Sequence, residues 1–141
     1  MVGDRTSIRV EESETNEGIW LYTHWGGYSA LVDLQLGLIA GEGRWNDGPY
    51  LARVIFCHMI PEDQIHGILS FGIWSEMLDH EYPFIMIVDV SKQEIRFHYF
   101  EWKNHSVGDC FKIIPISVFC ELDAEKLLKC HKIVDVEKLT E

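Results

Sequence analysis

The side chains best suited to chemistry lie between Tyr22 and Arg53. The segment begins with Tyr-Thr-His-Trp-Gly-Gly and ends with Arg-Trp-Asn-Asp-Gly-Pro-Tyr-Leu-Ala-Arg. Its two arginines are the only Lys or Arg residues between Glu11 and Ser91, a stretch rich in acidic residues. Arginine binds phosphate or carboxylate bidentately, and aromatic faces stack on bases or guanidinium groups. We therefore predict a ligand-binding site formed by His24, Trp25, Gly26, Gly27, Arg44, Trp45, Asp47, Tyr50 and Arg53.

The ligand class that these residues predict is a phosphorylated or nucleotide-like small molecule. Guanidinium groups bind phosphate, and glycines at a strand-to-helix corner let an anion approach backbone N–H groups. The same set also fits an enzyme that acts on a nucleotide or phosphoester, with His24 as general base and the arginines stabilising charge. The alternative is structural. In it the arginines pair with nearby carboxylates, the tryptophans pack in the core, and the glycines relieve strain at a corner.

Metal and covalent chemistry have no recognisable motif in the chain. The seven histidines form no His-x-x-x-His or His-Glu-x-x-His pattern, and the four cysteines form no Cys-x-x-Cys pair. There is no Gly-x-Ser-x-Gly sequence, and Asp79-His80-Glu81 is interpreted as a solvated turn. We therefore predict no metal ligands, no cofactor and no catalytic residues, and we expect a non-enzymatic protein.

The charge of the chain limits its partners. Its 141 residues include 23 acidic side chains against 12 Lys and Arg, which gives a net charge of -11. This balance disfavours direct binding to nucleic acid or to an anionic membrane. Two interpretations remain: docking on a basic patch of another protein, including mimicry of nucleic acid, or plain solubility. The polar N-terminus and the lack of a long apolar run indicate a soluble, cytosolic chain.

The residues are predicted to lie in a single domain, 1–141, with a polar N-terminal segment at about 1–17. Apolar periodicity places a strand at 19–24, a helix at about 29–40 and a second helix that Asp47 caps and Pro61 ends. Candidate strands follow at 67–74, 84–90, 94–102 and 111–116, before a charged helix at 123–131. The predicted fold class is α+β: a mainly antiparallel sheet of about four to five strands, with two helices on one face and a C-terminal helix.

The predicted strand 94–102 also offers a surface for self-association. Alternation places Arg96, His98, Phe100 and Trp102 on one of its faces. A homo-oligomer through that face is one interpretation, and an ordinary packed sheet, which we favour, is the other.

The two blocks Tyr22–Gly27 and Arg44–Arg53 resemble a family of small uncharacterised proteins found in bacteriophages and prophages. The family pattern is Tyr-x-His-Trp-Gly-Gly followed by Arg-Trp-x-Asp-x-x-Tyr-Leu-x-Arg, and the similarity covers roughly residues 19–95. The family has no activity to transfer. The resemblance implies a phage accessory protein in the host cytoplasm. Such a protein would bind a host factor or sequester a host small-molecule signal, for instance as an inhibitor of a bacterial defence system.

Overall fold

The computed structural model describes residues 5–24, 29–60, 71–77 and 80–141. Within these ranges the chain forms one mixed sheet of six strands and five helices, which confirms the α+β class. The strands are β1 (Thr6–Glu12), β2 (Glu17–Thr23), β3 (Phe71–Trp74), β4 (Phe84–Asp89), β5 (Glu94–Glu101) and β6 (Ser106–Pro115). The helices are α1 (Ala30–Ala40), α2 (Gly48–Met59), α3 (Ile116–Phe119), α4 (Ala124–Leu128) and α5 (Ile133–Glu137). None of the described helices is long and apolar enough to cross a bilayer.

Strand β1 lies at the centre of the sheet, whose order is β3-β2-β1-β4-β5-β6. It pairs parallel with β4 and antiparallel with β2, and the other pairs are antiparallel. The N-terminal segment was expected to be polar and to contain no strand, so the expected four to five strands become six. The missed signal is alternation: Ile8 and Val10 are buried against the helices, whereas Arg9 and Glu11 lie on the opposite face of the sheet.

The predicted hairpin of 84–90 and 94–102 is confirmed by β4 and β5. Ile87 pairs with Arg96, and every residue of β4 is buried. A strand that is buried on both faces has a continuous apolar sequence, and this is why β4 could be predicted. The predicted strand 111–116 is longer than expected and forms the edge strand β6. Of the predicted strand 67–74, the structure describes 71–74, which form β3, and residues 67–70 lie outside the described ranges.

All five described helices contribute to one apolar core on a single face of the sheet. Helices α1 and α2 run antiparallel, because Gly37 lies against Ile55 and Gly41 against Leu51. A Cβ on Gly37 would lie 2.8 Å from the Ile55 Cα, so this glycine permits the close approach of the two helices. The loop between them therefore lies at the end of the sheet opposite to the start of α1.

The single C-terminal helix that was predicted at 123–131 is wrong in its extent, because α4 ends at Leu128 and a separate helix, α5, follows, while α3 precedes the predicted range. Asp135 accounts for the break between α4 and α5. Its carboxylate accepts hydrogen bonds from the backbone N–H groups of His131 and Lys132 at 3.2 and 3.0 Å. Those N–H groups are thereby withdrawn from the helical ladder, so α4 ends at Leu128 and α5 begins at Ile133.

His80 was expected in a solvated turn, and this expectation is wrong: it is 2% exposed. Its Nδ1 accepts a hydrogen bond from the Ser7 N–H at 3.1 Å, so its Nε2 carries the proton and donates to the Phe84 carbonyl at 2.8 Å. Burial disfavours the imidazolium form and lowers the pKa of His80 to about 4. The neutral ring joins β1 to β4 where their own pairing stops.

Candidate functional site

The two arginines of the predicted site, Arg44 and Arg53, both lie over the ring of Tyr50. The guanidinium carbon of Arg44 lies 3.9 Å from the centre of the Tyr50 ring, and that of Arg53 lies 5.2 Å from it. Arg44 precedes α2, whereas Tyr50 and Arg53 are three residues apart on that helix and therefore share a side of it. Three of the predicted site residues are thus in contact.

Asp47 and Trp45 make structural contacts. Asp47 caps α2 by accepting a hydrogen bond from the Tyr50 N–H at 3.2 Å, and it also pairs with Arg44 at 2.9 Å. The Trp45 indole N–H donates to the Leu38 carbonyl at 2.8 Å, and the side chain packs against the core. Arg44 therefore already has a carboxylate partner, as the structural interpretation expected.

His24 lies away from these residues. Its Nδ1 accepts a hydrogen bond from Arg5 Nε at 3.1 Å and lies 3.1 Å from the Tyr22 hydroxyl. It follows β2, whereas the start of α2 lies beside Glu12 at the opposite end of the β1–β2 pair. At about 3.3 Å per residue the two ends are roughly 20 Å apart. The structure does not bring His24 to the arginine pair, and Trp25, Gly26 and Gly27 lie outside the described residues.

A groove of about 270 Å³ opens beside the start of α2, between this helix and the turn of the β1–β2 hairpin. Its apolar lining residues are Val10, Ile19, Pro49 and Ala52. The remaining lining residues are three glutamates and two glycines, which are Glu11, Glu12, Glu17, Gly18 and Gly48. None of these glutamates belongs to the ligand-binding site predicted from the sequence.

Glu12 and Glu17 lie side by side at the groove. They are directly opposed partners in the antiparallel register of β1 and β2. Cβ atoms of opposed residues are about 4.5–5.5 Å apart, and like charges in such positions destabilise a sheet. Neither carboxylate has an ion-pair partner in the described part of the chain. The groove therefore carries two carboxylates without ion-pair partners in the described part of the chain, beside apolar lining residues.

Gly48 keeps the groove open at the first residue of α2. A Cβ at this position would lie 3.2 Å from the Glu12 Oε1 atom. The nearest atoms all belong to the Glu12 side chain, so a side chain at position 48 would have to displace this carboxylate.

An ion-pair network fixes the position of the hairpin. Glu11 accepts from Arg9 Nε at 2.8 Å and pairs with Arg96 at 2.7 Å, and Arg96 also pairs with Asp89 at 2.7 Å. Asp89 is fully buried and accepts a further bond from the Ser13 N–H at 3.4 Å. The Glu11 carboxylate is held by two arginines on the face of the sheet away from the helices, so Glu12 and Glu17 are the carboxylates on the side of α2.

The face of β5 that was considered for self-association is largely engaged within the protein. Arg96 belongs to the network, His98 Nδ1 lies 2.8 Å from the Gly108 carbonyl, and Phe100 is buried. Trp102 is 52% exposed and packs edge-on against Phe100 at 4.7 Å. These contacts support the interpretation of an ordinary packed sheet face.

Two of the cysteines, Cys120 and Cys130, have thiols whose pKa is raised by burial. Burial raises the pKa of Cys130 to about 12 and that of Cys120 to about 11, so both thiols stay protonated at neutral pH. Within the described ranges, no three His, Cys, Asp or Glu side chains are arranged to hold a metal ion. The most distinctive chemistry is therefore the acidic groove.

The signal for this groove is present in the sequence but is weak. Glu12 and Glu17 belong to a run that reads as a solvated acidic loop, and their opposition becomes visible only with the register of the hairpin. Gly48 is placed beside Glu12 by tertiary packing alone. Comparison of the chain with protein-family models, with curated proteins and with solved structures found no match.

Proposed function

We propose that this is a non-enzymatic binding protein whose acidic groove accepts a lysine or arginine side chain of a partner protein. The observation that supports this proposal is that Glu12 and Glu17 are directly opposed in the β1–β2 pair and line a groove together with apolar residues. Lysine and arginine have an aliphatic stem and a cationic head, so they match a site with an apolar base and an acidic rim.

The energetics favour such a ligand. Each carboxylate raises the free energy of the other, and a cation between them removes that repulsion while gaining two attractive contacts. The net charge of -11 adds a long-range attraction for basic proteins, which raises association rates at low ionic strength. The groove supplies local complementarity that a uniformly acidic surface does not have.

The biological setting of the proposal comes from the two-block resemblance. A phage accessory protein would meet its partner in the host cytoplasm, and a host defence protein with a basic surface is one such partner. Direct contact with nucleic acid is not required, because the acidic protein competes for the surface that nucleic acid would occupy.

The enzyme alternative has less support. It combined His24 as a base with Arg44 and Arg53, and these residues lie at opposite ends of the β1–β2 pair. A small anion held by both arginines also has to compete with Asp47 for Arg44. The geometry therefore favours protein docking over turnover of a phosphoester.

Carbodiimide cross-linking of the protein in bacterial lysate tests the proposal, because this reagent joins carboxylates directly to lysine amines. Native mass spectrometry first identifies the stoichiometric complex, and peptide mapping then locates the cross-links. We expect cross-links from Glu12 or Glu17 to a partner lysine, and we expect the complex to be lost in Glu12→Gln/Glu17→Gln. The control Glu121→Gln/Glu137→Gln changes the net charge equally on exposed positions elsewhere and should leave the complex intact. If both double variants lose the complex to the same extent, then binding depends on non-specific charge and the proposal of a groove is wrong.

A further inference from the structure

A small cavity lies at the end of the sheet where β1 begins, and the acidic groove lies at the other end of this strand. The cavity has a volume of about 10 Å³, and its wall includes the side chains of Thr6, Tyr82 and Cys130. The first turn of α1 and strand β4 supply the apolar remainder of the wall. Because a water molecule needs a cavity of roughly 10–15 Å³, this one has room for a single water and for no larger ligand.

Thr6 brings a hydroxyl group into this part of the core. Alternation along β1 places Thr6 on the same side of the sheet as Ile8 and Val10, which pack against the helices. Thr6 is 1% exposed, and its hydroxyl has no hydrogen-bond partner within the described residues. A buried hydroxyl without a partner destabilises a fold, because it has given up its hydrogen bonds to bulk water. A ligand that bonds this hydroxyl would therefore stabilise the protein.

Two further polar groups belong to the same wall. The Tyr82 hydroxyl is buried, and a phenolic hydroxyl both donates and accepts hydrogen bonds. Burial raises the pKa of Cys130 to about 12, so its thiol stays protonated and is a weak donor. A buried water makes about two to four hydrogen bonds, and cavities that stay dry are apolar. The chemistry of this wall is therefore that of a water site.

We propose that the cavity binds one structural water, held by the hydroxyl groups of Thr6 and Tyr82. The water joins three parts of the chain: the start of β1, the segment before β4 and, through Cys130, the segment after α4. The parallel pairing of β1 with β4 does not reach this point, because its first pair is Ile8 with Met86. The water thus connects the two strands beyond their backbone ladder. This site is independent of the acidic groove and of the function proposed for it.

Thr23 offers a matched control for Thr6. The two threonines are directly opposed in the β1–β2 pair, and each is 1% exposed. The Thr23 hydroxyl also has no hydrogen-bond partner among the residues that the structure describes. Of the two, only Thr6 lines the cavity. Valine keeps the branched shape of threonine and replaces the hydroxyl by a methyl group, so Thr6→Val and Thr23→Val remove the same group from neighbouring positions.

A high-resolution crystal structure and urea unfolding of the two variants test this inference. The crystal structure should show one water within about 3.0 Å of both Thr6 Oγ1 and the Tyr82 hydroxyl oxygen. Thr6→Val removes a hydrogen bond to that water, so we expect the equilibrium constant for unfolding to rise about 5-fold, the scale of one hydrogen bond. Thr23→Val removes a hydroxyl outside the cavity and should leave this constant unchanged or lower it. A cavity without density for the water would overturn the inference, and so would a Thr6→Val variant that is as stable as Thr23→Val.

Discussion

Glu12 and Glu17 are directly opposed on β1 and β2, on the face of the sheet that meets the first turn of α2. Antiparallel strands usually place opposite charges or apolar residues in such positions, because like charges there are destabilising. Local choices that work against stability are most often found at functional sites. The proposed function accounts for the pair, because a cationic side chain from a partner would remove the repulsion.

Removal of one of these charges should stabilise the isolated protein. We expect Glu17→Gln to raise the free energy of unfolding by about 0.5 kcal/mol at low ionic strength, the scale of a cross-strand pair. Salt screens exposed charges, so the gain should shrink at an ionic strength of about 0.5 M, where the Debye length is well below 10 Å. Urea unfolding at both salt concentrations measures it. Glu121→Gln, which removes an exposed charge after α3, should have no such effect, and a loss of stability in Glu17→Gln would contradict the repulsion.

Gly48→Ala should separate binding from folding. Alanine has a higher helix propensity than glycine, but a Cβ directly before Pro49 disfavours the helical conformation, so we expect these effects to offset each other and the melting temperature to change by only a few degrees. The added methyl group would lie 3.2 Å from Glu12 Oε1 and push the carboxylate out of place. We therefore expect affinity for a lysine-bearing peptide to fall several-fold. Unchanged affinity would show that the space beside Gly48 is not part of the site.

The arginines of the chain should differ in their structural importance. Arg96→Met leaves the fully buried Asp89 without its cationic partner, and breaking such a pair costs about 3–5 kcal/mol. Arg44→Met removes a pair whose arginine side chain is 57% exposed, and such surface pairs contribute at most about 1 kcal/mol. Urea unfolding of both variants gives the comparison. Similar losses for the two would mean that the network does not hold the hairpin as described.

Protonation of His80 should destabilise the fold in mild acid. The pKa of His80 is about 4 in the folded protein and 6.5 for an unperturbed ring, so the unfolded chain takes up the proton first. Stability is therefore lost as the pH falls from about 6.5 towards 4, by up to roughly 3 kcal/mol at 1.36 kcal/mol per pKa unit. Urea unfolding between pH 7 and pH 4 measures this slope. His80→Gln should flatten it, and an unchanged slope would assign the effect to another group.

Protonation of Asp33 changes the stability of the fold in the opposite direction to protonation of His80, over nearly the same pH range. Burial raises the pKa of Asp33 from 3.8 to about 6, against the hydrogen bond from Ser29 and the charge of His58. The folded protein binds the Asp33 proton more tightly than the unfolded chain does. This stabilisation is fully present below pH 3.8, the pKa of an unperturbed aspartate, and it is lost as the pH rises through about 6. We expect Asp33→Asn, which keeps the acceptor for Ser29, to increase stability at pH 7 and to steepen the acid loss that His80 causes. Unfolding curves of the variant across this pH range give the test.

Much of the fold follows from local patterns. The apolar run of β4, the alternation of β5 and the Asp47 cap with Pro49 in the first turn of α2 were sufficient to predict those elements. Strand β1 was missed because Arg9 and Glu11 suggested solvent, whereas on the far face of the sheet they pair with each other, Arg9 lies over Trp20, and Glu11 also pairs with Arg96. Trp20 and Arg96 are remote from β1 in sequence, so no local pattern contains these contacts.

The candidate site shows the same limit. The two arginines and Tyr50 were predicted to act together, and they are in contact because they lie on or next to one helix. His24 is near in sequence but is carried to the other end of the sheet by β2. Glu12, Glu17 and Gly48 form the groove through strand register and helix packing, and residue types alone do not specify either.

The most direct test of the acidic groove compares two ligands that differ only in charge. Nα-acetyl-lysine amide and Nα-acetyl-norleucine amide have nearly the same aliphatic stem, but norleucine lacks the ammonium group. NMR titration should show saturable shifts at Gly18, Gly48 and Ala52 with the lysine compound, and at least about 10-fold weaker binding of norleucine, since the ammonium group must supply about 1.4 kcal/mol or more. Equal shifts from both compounds, or lysine-dependent shifts confined to the acidic residues around Glu121 and Glu125, would contradict a groove built for a basic side chain.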